Sequence, residues 1–548
     1  MDVRRMLLLG IAASGGPSDS VAPTVVITSD AVEPVSAAFT LTVTFSEDVT
    51  GFVVGDITAA NCTLSDFATA DNVTFTATCT PDWAGDVSLS VGAGVCTDAA
   101  GNESAASNTI GPLQIALVYG VSWNKGSSPT LTRTDDAIGM VAAAGVDAGV
   151  VTNNFDNAQI FADMTEVTDA FGNVFIRIPK FYIKKTDGVG SKTWQVSYSS
   201  ARLGAGAYLP WCFWDFTQSS ELPYIDVGKY PASLSVDNKL ESKPGVYPLI
   251  NKNIVQMRDY ARANGTGYQQ LDIHAVDALQ TLVYVEFATL HAQSIMAGYT
   301  TGQYTATHLA TVAEAGTNRI IVANAHAALY AVGQAISVGT SQGDNQVFYG
   351  RTITSIDVYD AANKAITFDG AAVNIAVGNM LYNTGWRSGF SVGIAAASGS
   401  LVSNSTGKYP CKYRGIENPL WGNTWQFVDG ININERQAWV CRDQASFASN
   451  LFAAPYLQLG YVNHNADGYA TAMGFDANHP YAAFPVAVGD SGTTYYSDYY
   501  YQSTGQRIAL LGGLWVNGSN AGPSCWNLNS ASSVAYVAIG ARLMRKPL

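Results

Sequence analysis

The stretch 494–543 constrains the chain most. It holds two short apolar runs, 508–511 ending at Gly512-Gly513 and 536–539 ending at Gly540. Runs of this length bounded by glycine predict β-strands rather than helices. The residues between them are mostly Asn, Ser, Gly and Ala, broken by Trp515 and Trp526. That composition cannot fill a core of its own, so a framing sheet has to carry the crossing. Its amides, hydroxyls and flat rings suit a surface that binds. The expected ligand contacts are Trp515, Asn517, Ser519, Asn520, Trp526, Asn529 and Tyr536. The alternative is an ordinary solvated loop with two packed tryptophans.

A second motif precedes this one. Gly415-Ile416-Glu417-Asn418 leads into Trp421-Gly422-Asn423-Thr424-Trp425-Gln426-Phe427-Val428-Asp429-Gly430. It resembles the G-N-x-W-E-x-V-x-D signature of C-type-lectin-like domains. The later run DYYYQ-x6-ALLGGLW, with NGSNAG, CWNLN and IGARL, resembles the C-terminal half of the same domains. Phage tail and receptor-binding proteins, retroelement-diversified variable proteins and formylglycine-generating-enzyme relatives share the type. The resemblance implies a lectin-like core whose loop between C-terminal strands displays ligand-contacting side chains. Trp421, Trp425 and Phe427, beside Gly-Asn turns, are expected as scaffold.

With 548 residues the chain exceeds what one hydrophobic core organises, so two to four domains are expected. Charged residues make up 13 %, against 52 glycines and 28 tyrosines, which favours strands and turns over exposed helices. A formal net charge of −14 with no basic stripe excludes a phosphate-backbone partner. The seven cysteines (Cys62, Cys79, Cys96, Cys212, Cys411, Cys441, Cys525) show no C-x-x-C pair, so a structural zinc site is not expected. They read as reduced thiols, with a Cys62–Cys79 disulfide as the alternative under oxidising conditions.

Residues 1–20 carry Arg4 and Arg5, an apolar run over 6–13 and then small residues. They read as an N-terminal peptide anchoring the protein to its assembly, with a signal peptide as the alternative; the run is too short for membrane insertion. Residues 21–113 show alternating segments at 24–28, 39–45, 73–78 and 87–91, which predict a β-sandwich. The phrases APTVVITS, FTLTVTFSEDVTGF and TDAAGN resemble bacterial Ig-like modules. There Glu47, Asp48, Asp56 and Asp98 are candidates for a calcium ion, the alternative being turn formation and solvated charge.

Residues 114–301 form the first part of the lectin-like domain. The aromatic cluster of 207–214 reads as buried, with carbohydrate stacking as the sharper alternative. Helices are expected over 254–263 and, capped by Asp272, through about Gln293, with His274 solvated or capping. At 302–384 helical periodicity gives way to strand-like pieces, predicting a small inserted β domain, after which 385–548 completes the lectin-like part. The tyrosines at 495, 496 and 499–501 stand either as a second contact surface or as structural strand residues. The expected fold is therefore multidomain and β-rich: an Ig-like β-sandwich, then an α+β C-type-lectin-like domain with a β insertion.

Catalytic patterns do not surface. Cys525 stands alone where oxidase relatives carry a copper-binding pair, and the six histidines never take the iron-site spacing. H-E-x-x-H and phosphate-binding glycine loops of the G-x4-G-K form are missing from the sequence. Glu417 and Asp429 read as turn-holding residues rather than a hydrolytic pair with Asp443, Asp476 or Asp490. A non-enzymatic role without cofactor follows as the expectation. The protein reads as a phage virion protein, at a tail fibre or tail tip, in several copies. It would touch other virion proteins through its N-terminal peptide and a host cell-surface glycan or protein through its C-terminal loop. A head-fibre or decoration protein and a secreted bacterial adhesin are the alternatives.

Overall fold

The computed structural model describes residues 19–548 apart from Asn345; the expected anchor peptide lies, up to residue 18, outside the described residues. Two compact units result, the first ending at Ala116 and the second being Leu117–Leu548. The boundary falls a few residues beyond the expected 113.

In the first unit a four-stranded antiparallel sheet runs Val25–Ser29, Phe39–Phe45, Thr74–Pro81, Cys62–Thr69, and a three-stranded sheet runs Ile57–Ala60, Val87–Val91, Ile110–Leu113. Strict alternation explains the pairing. In Phe39–Phe45 the residues Phe39, Leu41, Val43 and Phe45 are buried while the threonines between them point outward. Phe45, Phe52, Phe67 and Phe75 close one end of this core with ring centroids 5.0–5.9 Å apart. All seven cysteines of the chain are free thiols.

The second unit is organised on the helix Ile273–Phe287, in which every residue but Gln280 is buried. A helix hydrophobic nearly all round must be surrounded, and its few charges must find partners. Asp277 pairs with Lys185 and accepts the Tyr208 hydroxyl; Glu286 accepts both arms of the Arg414 guanidinium at 2.9 and 2.6 Å. Asp272 caps it as expected, accepting from the backbone of His274 and Ala275. The helix stops at Phe287, short of Gln293. Ala288 turns left-handed at φ 50°, and the backbone then bonds to the segment 129–131. The shorter helix Ile254–Arg262 starts with a capping box between Asn253 and Gln256. No described helix is long and apolar enough to cross a membrane.

Strands from both sides of the 302–384 interval interleave around these helices. Leu543–Arg545, near the chain's end, pairs with Tyr224–Gly228 and with Tyr268–Gln270. The largest sheet places Trp425–Asn434 between Gln437–Val440 and Gln506–Leu511. Asp429 within it takes the Arg258 guanidinium at 2.7 and 2.8 Å and the Gln270 amide at 3.0 Å, tying sheet to helix. Arg542, without exposed surface, donates to the carbonyls of Gly228, Glu417 and Asn418 and to Gln426. Burial lowers its pKa to about 9, which leaves it charged at neutral pH. Between these strands, residues 306–383 fold a five-stranded sheet of Arg319–Ala323, Asn363–Phe368, Phe348–Val358, Ala335–Gly339 and Met380–Asn383. Ile320, Ile336, Val338, Ile353, Ile366 and Leu381 form its own buried cluster.

Candidate functional site

The crossing between 511 and 539 departs from expectation in its interior. Trp526–Leu528 is a strand, paired antiparallel with Gln506–Leu511 and parallel with Tyr499–Gln502. The closing strand is only Ile539–Gly540, paired parallel with Trp425-Gln426. Trp515 and Trp526, expected as ligand anchors, are each 1 % exposed. Trp515 is packed with Tyr299, Trp386 and Ala538, and Trp526 lies 4.9 Å from the Phe484 ring. Both are core residues: strand pairing turns the Trp526 ring inward, and Trp515, in a turn, is taken up by the Tyr299 and Trp386 rings. Trp421, Trp425 and Phe427 are buried scaffold as well.

The polar members of the crossing fall into two groups. Asn517, Ser519 and Asn520 gather on a short 3-10 turn, Gly518–Asn520. Asn517 is half-buried; its Oδ1 accepts the Leu514 amide at 2.7 Å and its Nδ2 donates to the Tyr501 hydroxyl at 3.1 Å. Asn520, also half-buried, donates to the same hydroxyl at 2.9 Å and accepts the Tyr469 hydroxyl at 2.7 Å. Ser519 is exposed, its Oγ 2.9 Å from the Tyr469 hydroxyl. Asn529 and Tyr536 are exposed too, but no hydrogen bond or ring contact links either to this group.

Three tyrosines complete the first group. Tyr499 and Tyr501 leave one face of their strand, while Tyr500 on the other face has no exposed surface. Tyr469 pairs with Tyr499 across the sheet, its ring 5.1 Å away, and Tyr499 lies 4.7 Å from Tyr501. The alternation at 499–501 carried the signal for two of these rings. Tyr469 has no such signal, since only strand pairing brings it in.

The chemistry of this face follows from the donor inventory. A phenol oxygen has two acceptor sites and one proton. The Tyr501 oxygen already accepts two amide N–H groups, which leaves its own proton without an acceptor among the described residues. Burial pushes its pKa up to about 12, so it stays a neutral donor. The Tyr499 hydroxyl has no bonded partner among the described residues, and Ser519 adds a second adaptable hydroxyl. No charged side chain takes part in this hydrogen-bond and ring-contact cluster. It is a neutral, aromatic, hydroxyl-bearing surface whose rotors are held by two asparagines.

Other expected sites fare differently. The Glu417 carboxylate accepts the backbone N–H groups of Gly389 and Ser391, and Asp429 holds Arg258, so both are structural. Burial raises the Cys525 thiol well above its ordinary range, which suppresses the nucleophilic thiolate. His274, expected solvated or capping, is buried with Nε2 3.0 Å from the Cys441 carbonyl. In the first unit Asp19, Glu47 and Asp98 offer carboxylate oxygens within 4.8 Å of one another; Asp48 and Asp56 stand outside the group. Asp56 instead accepts the Val53 amide in its own turn. Hard oxygen donors of this kind suit calcium, and Glu47 is held above the usual carboxylate range by desolvation and by Asp98 and Asp19.

Residues 19–115 match the bacterial Ig-like domain family. No curated protein matches the sequence. Among solved structures the chain is similar to the Yersinia pseudotuberculosis adhesin InvE, at 14 % identity over 57 % of this chain and 92 % of that one. The TM-score is 0.14, a value at which two backbones do not share one fold. The family match lies on the N-terminal unit alone, and the lectin-like resemblance of 385–548 rests on its sequence motifs.

Proposed function

We propose that this protein is an attachment protein displayed on a phage virion, with an Ig-like module joined to a larger, lectin-like domain that binds a host cell-surface glycan or protein. One observation carries the reading: Tyr469 and Tyr501 are held by Asn517 and Asn520, and the half-buried Tyr499 ring packs against both with its hydroxyl unbonded among the described residues. Rigid phenols give contact area at small entropic cost, and hydroxyls adapt to either hydroxyl-rich or peptide partners. Weak single contacts would be multiplied by several copies of the chain on one particle. The acidic balance, −14 overall, disfavours nonspecific binding to nucleic acid. The engaged carboxylates and the buried Cys525 thiol favour a non-enzymatic role.

The test uses fluorescently labelled full-length protein on a panel of intact Gram-negative and Gram-positive cells. Saturable binding to at least one strain is expected. Tyr499→Ala should weaken it by about 1–2 kcal/mol, roughly tenfold, with an unchanged thermal midpoint; Tyr501→Phe should weaken it similarly and also lower the midpoint, since it takes the acceptor from Asn517 and Asn520. Binding unaffected by either variant, or no saturable binding to any strain, would sink the reading. Deleting 514–536 is not a substitute, because it strips Trp515 and Trp526 from the core and reports unfolding.

A further inference from the structure

A second aromatic surface lies in the Leu117–Leu548 unit, away from the residues used above. The turn Trp211–Phe213 runs into a hairpin of Trp214–Asp215 and Ser220–Glu221. Trp211 and Trp214 meet edge to face, centroids 5.9 Å apart at 84°, and both stay half-exposed although Cys212 and Phe213 between them are buried. The sequence suggested a wholly buried cluster here. Instead the 3-10 turn brings the first and fourth positions, the two indoles, to one side and buries the thiol and phenyl between them.

The hairpin is held from beneath. Lys546, 2 % exposed, donates from Nζ to the carbonyls of Trp211 and Trp214 at 3.1 and 3.2 Å. Asp215 accepts the backbone N–H groups of Thr217 and Gln218, closing the turn. An open cleft of about 310 Å³ beside the indoles is lined by Asn478, Tyr481, Tyr208 and Glu221 and by Arg442, which lies over the Trp211 ring. The Arg442 guanidinium lies 4.9 Å from the Trp211 ring centre and donates to the Asn478 carbonyl at 3.3 Å. Tyr208 is anchored through its hydroxyl to Asp277 at 2.8 Å.

The polar groups on the rim are mixed in kind. Neither indole N–H of Trp211 or Trp214 donates to a described residue, and the Asn478 side-chain amide is likewise unengaged. Arg442 keeps further N–H groups beyond its long bonds to Asn478 and to the Tyr481 hydroxyl at 3.4 Å. Glu221 supplies an acceptor, held by the Tyr182 hydroxyl and Lys180, both at 2.7 Å. Half-buried indoles leave part of their apolar surface for a partner to cover. Aromatic faces bounded by alternating donors and acceptors match a ring whose two faces are C–H and whose edge is hydroxyl. Arg442 is the cation and Glu221 the anion of the lining, and Glu221 is already paired with Lys180, so no unpaired negative charge is left there to hold a cationic ligand.

We infer that this cleft is a carbohydrate-binding site, seating one neutral pyranose or a terminal disaccharide between the Trp211–Trp214 pair and Asn478. Its volume lies at the lower end of the roughly 300–1,000 Å³ of small-ligand pockets, enough for one or two rings and too little for an extended peptide groove. Trp211 is already covered by the Arg442 guanidinium and packed against the Phe216 ring, 5.5 Å away at 32°, so recognition comes from stacking on Trp214, with Glu221 accepting and Arg442 and Asn478 donating to ring hydroxyls. The site is separate from the tyrosine face and does not depend on it.

Indole N–H resonances of the full-length protein, recorded while titrating glucose, galactose, mannose, N-acetylglucosamine and their β-linked disaccharides, test the assignment. Trp211→Phe and Trp214→Phe variants identify the two signals. At least one sugar is expected to shift both signals saturably in the millimolar range. Glu221→Gln and Asn478→Ala, both on exposed residues, should weaken that binding about tenfold while leaving the thermal midpoint in place, and Tyr499→Ala should leave it unchanged. If no sugar of the panel moves the two indoles, or if the rim variants bind as tightly as the parent, the site is not a sugar site. If a proline-rich decapeptide moves them and no sugar does, the cleft is a peptide groove and the inference falls.

Discussion

His274 sits in the interior with its Nε2 on the Cys441 carbonyl and the Tyr481 ring 4.4 Å away. Burial lowers its pKa from 6.5 to about 4, outweighing the nearby Asp272 carboxylate. The folded protein therefore refuses a proton that the unfolded chain accepts, and stability is lost as pH falls from about 6.5 to about 4. Above that window this contribution is complete. A shift of that size corresponds to about 3 kcal/mol, read as a falling urea midpoint on acidification. His274→Gln keeps an N–H for the Cys441 carbonyl and removes the titration, so its acid limb should be shallower by about that amount. An equal loss in parent and variant would place the acid sensitivity elsewhere. The two tryptophans of the crossing show why single residues mislead: among Asn and Ser neighbours a Trp reads as an outward anchor. The rings that bury Trp515, Tyr299 and Trp386, are distant in sequence, and no local pattern announces them.

The helix Ile273–Phe287 illustrates the element scale. Its Asp272 cap and its apolar spacing were legible, because capping and periodicity are local. Its end was not, since continuation to Gln293 satisfies the same periodicity. What ends it is pairing with residues 129–131, for which Ala288 adopts φ 50°. A left-handed alanine is strained where glycine is not. Ala288→Gly should therefore stabilise the second unit by about 0.5–1 kcal/mol, seen as a higher urea midpoint with unchanged slope. A destabilised variant would show that the Ala288 methyl packs more than its backbone strains. The strand 499–502 makes the complementary case: alternation alone separates Tyr499 and Tyr501 from the buried Tyr500. Only the neighbouring strand Gly468–Met473 adds the third ring.

At the scale of the molecule, the second unit is knit by contacts between residues far apart in the chain. Arg542 and the strand Leu543–Arg545 close onto strands laid down hundreds of residues earlier. The interval 306–383 behaves differently, pairing its strands chiefly with one another around its own cluster. Its ends meet: the Asn383 N–H donates to the Gln303 carbonyl at 2.6 Å, and the Asn383 side chain accepts the Gln303 N–H at 2.7 Å. Replacing 305–381 by a short Gly-Ser bridge should leave the remainder with a cooperative unfolding transition and native near-ultraviolet circular dichroism. A remainder without either signal would show that this interval is integral to the core around it. The sequence by itself determined the β-rich character, the Ig-like module, the helix starts and the polar, aromatic nature of the C-terminal crossing, because each follows from spacing and composition over a few residues. Which rings face inward, which tyrosines share a face and which carboxylates meet was decided only by the tertiary structure. Burial and pairing there depend on partners that lie far away along the chain.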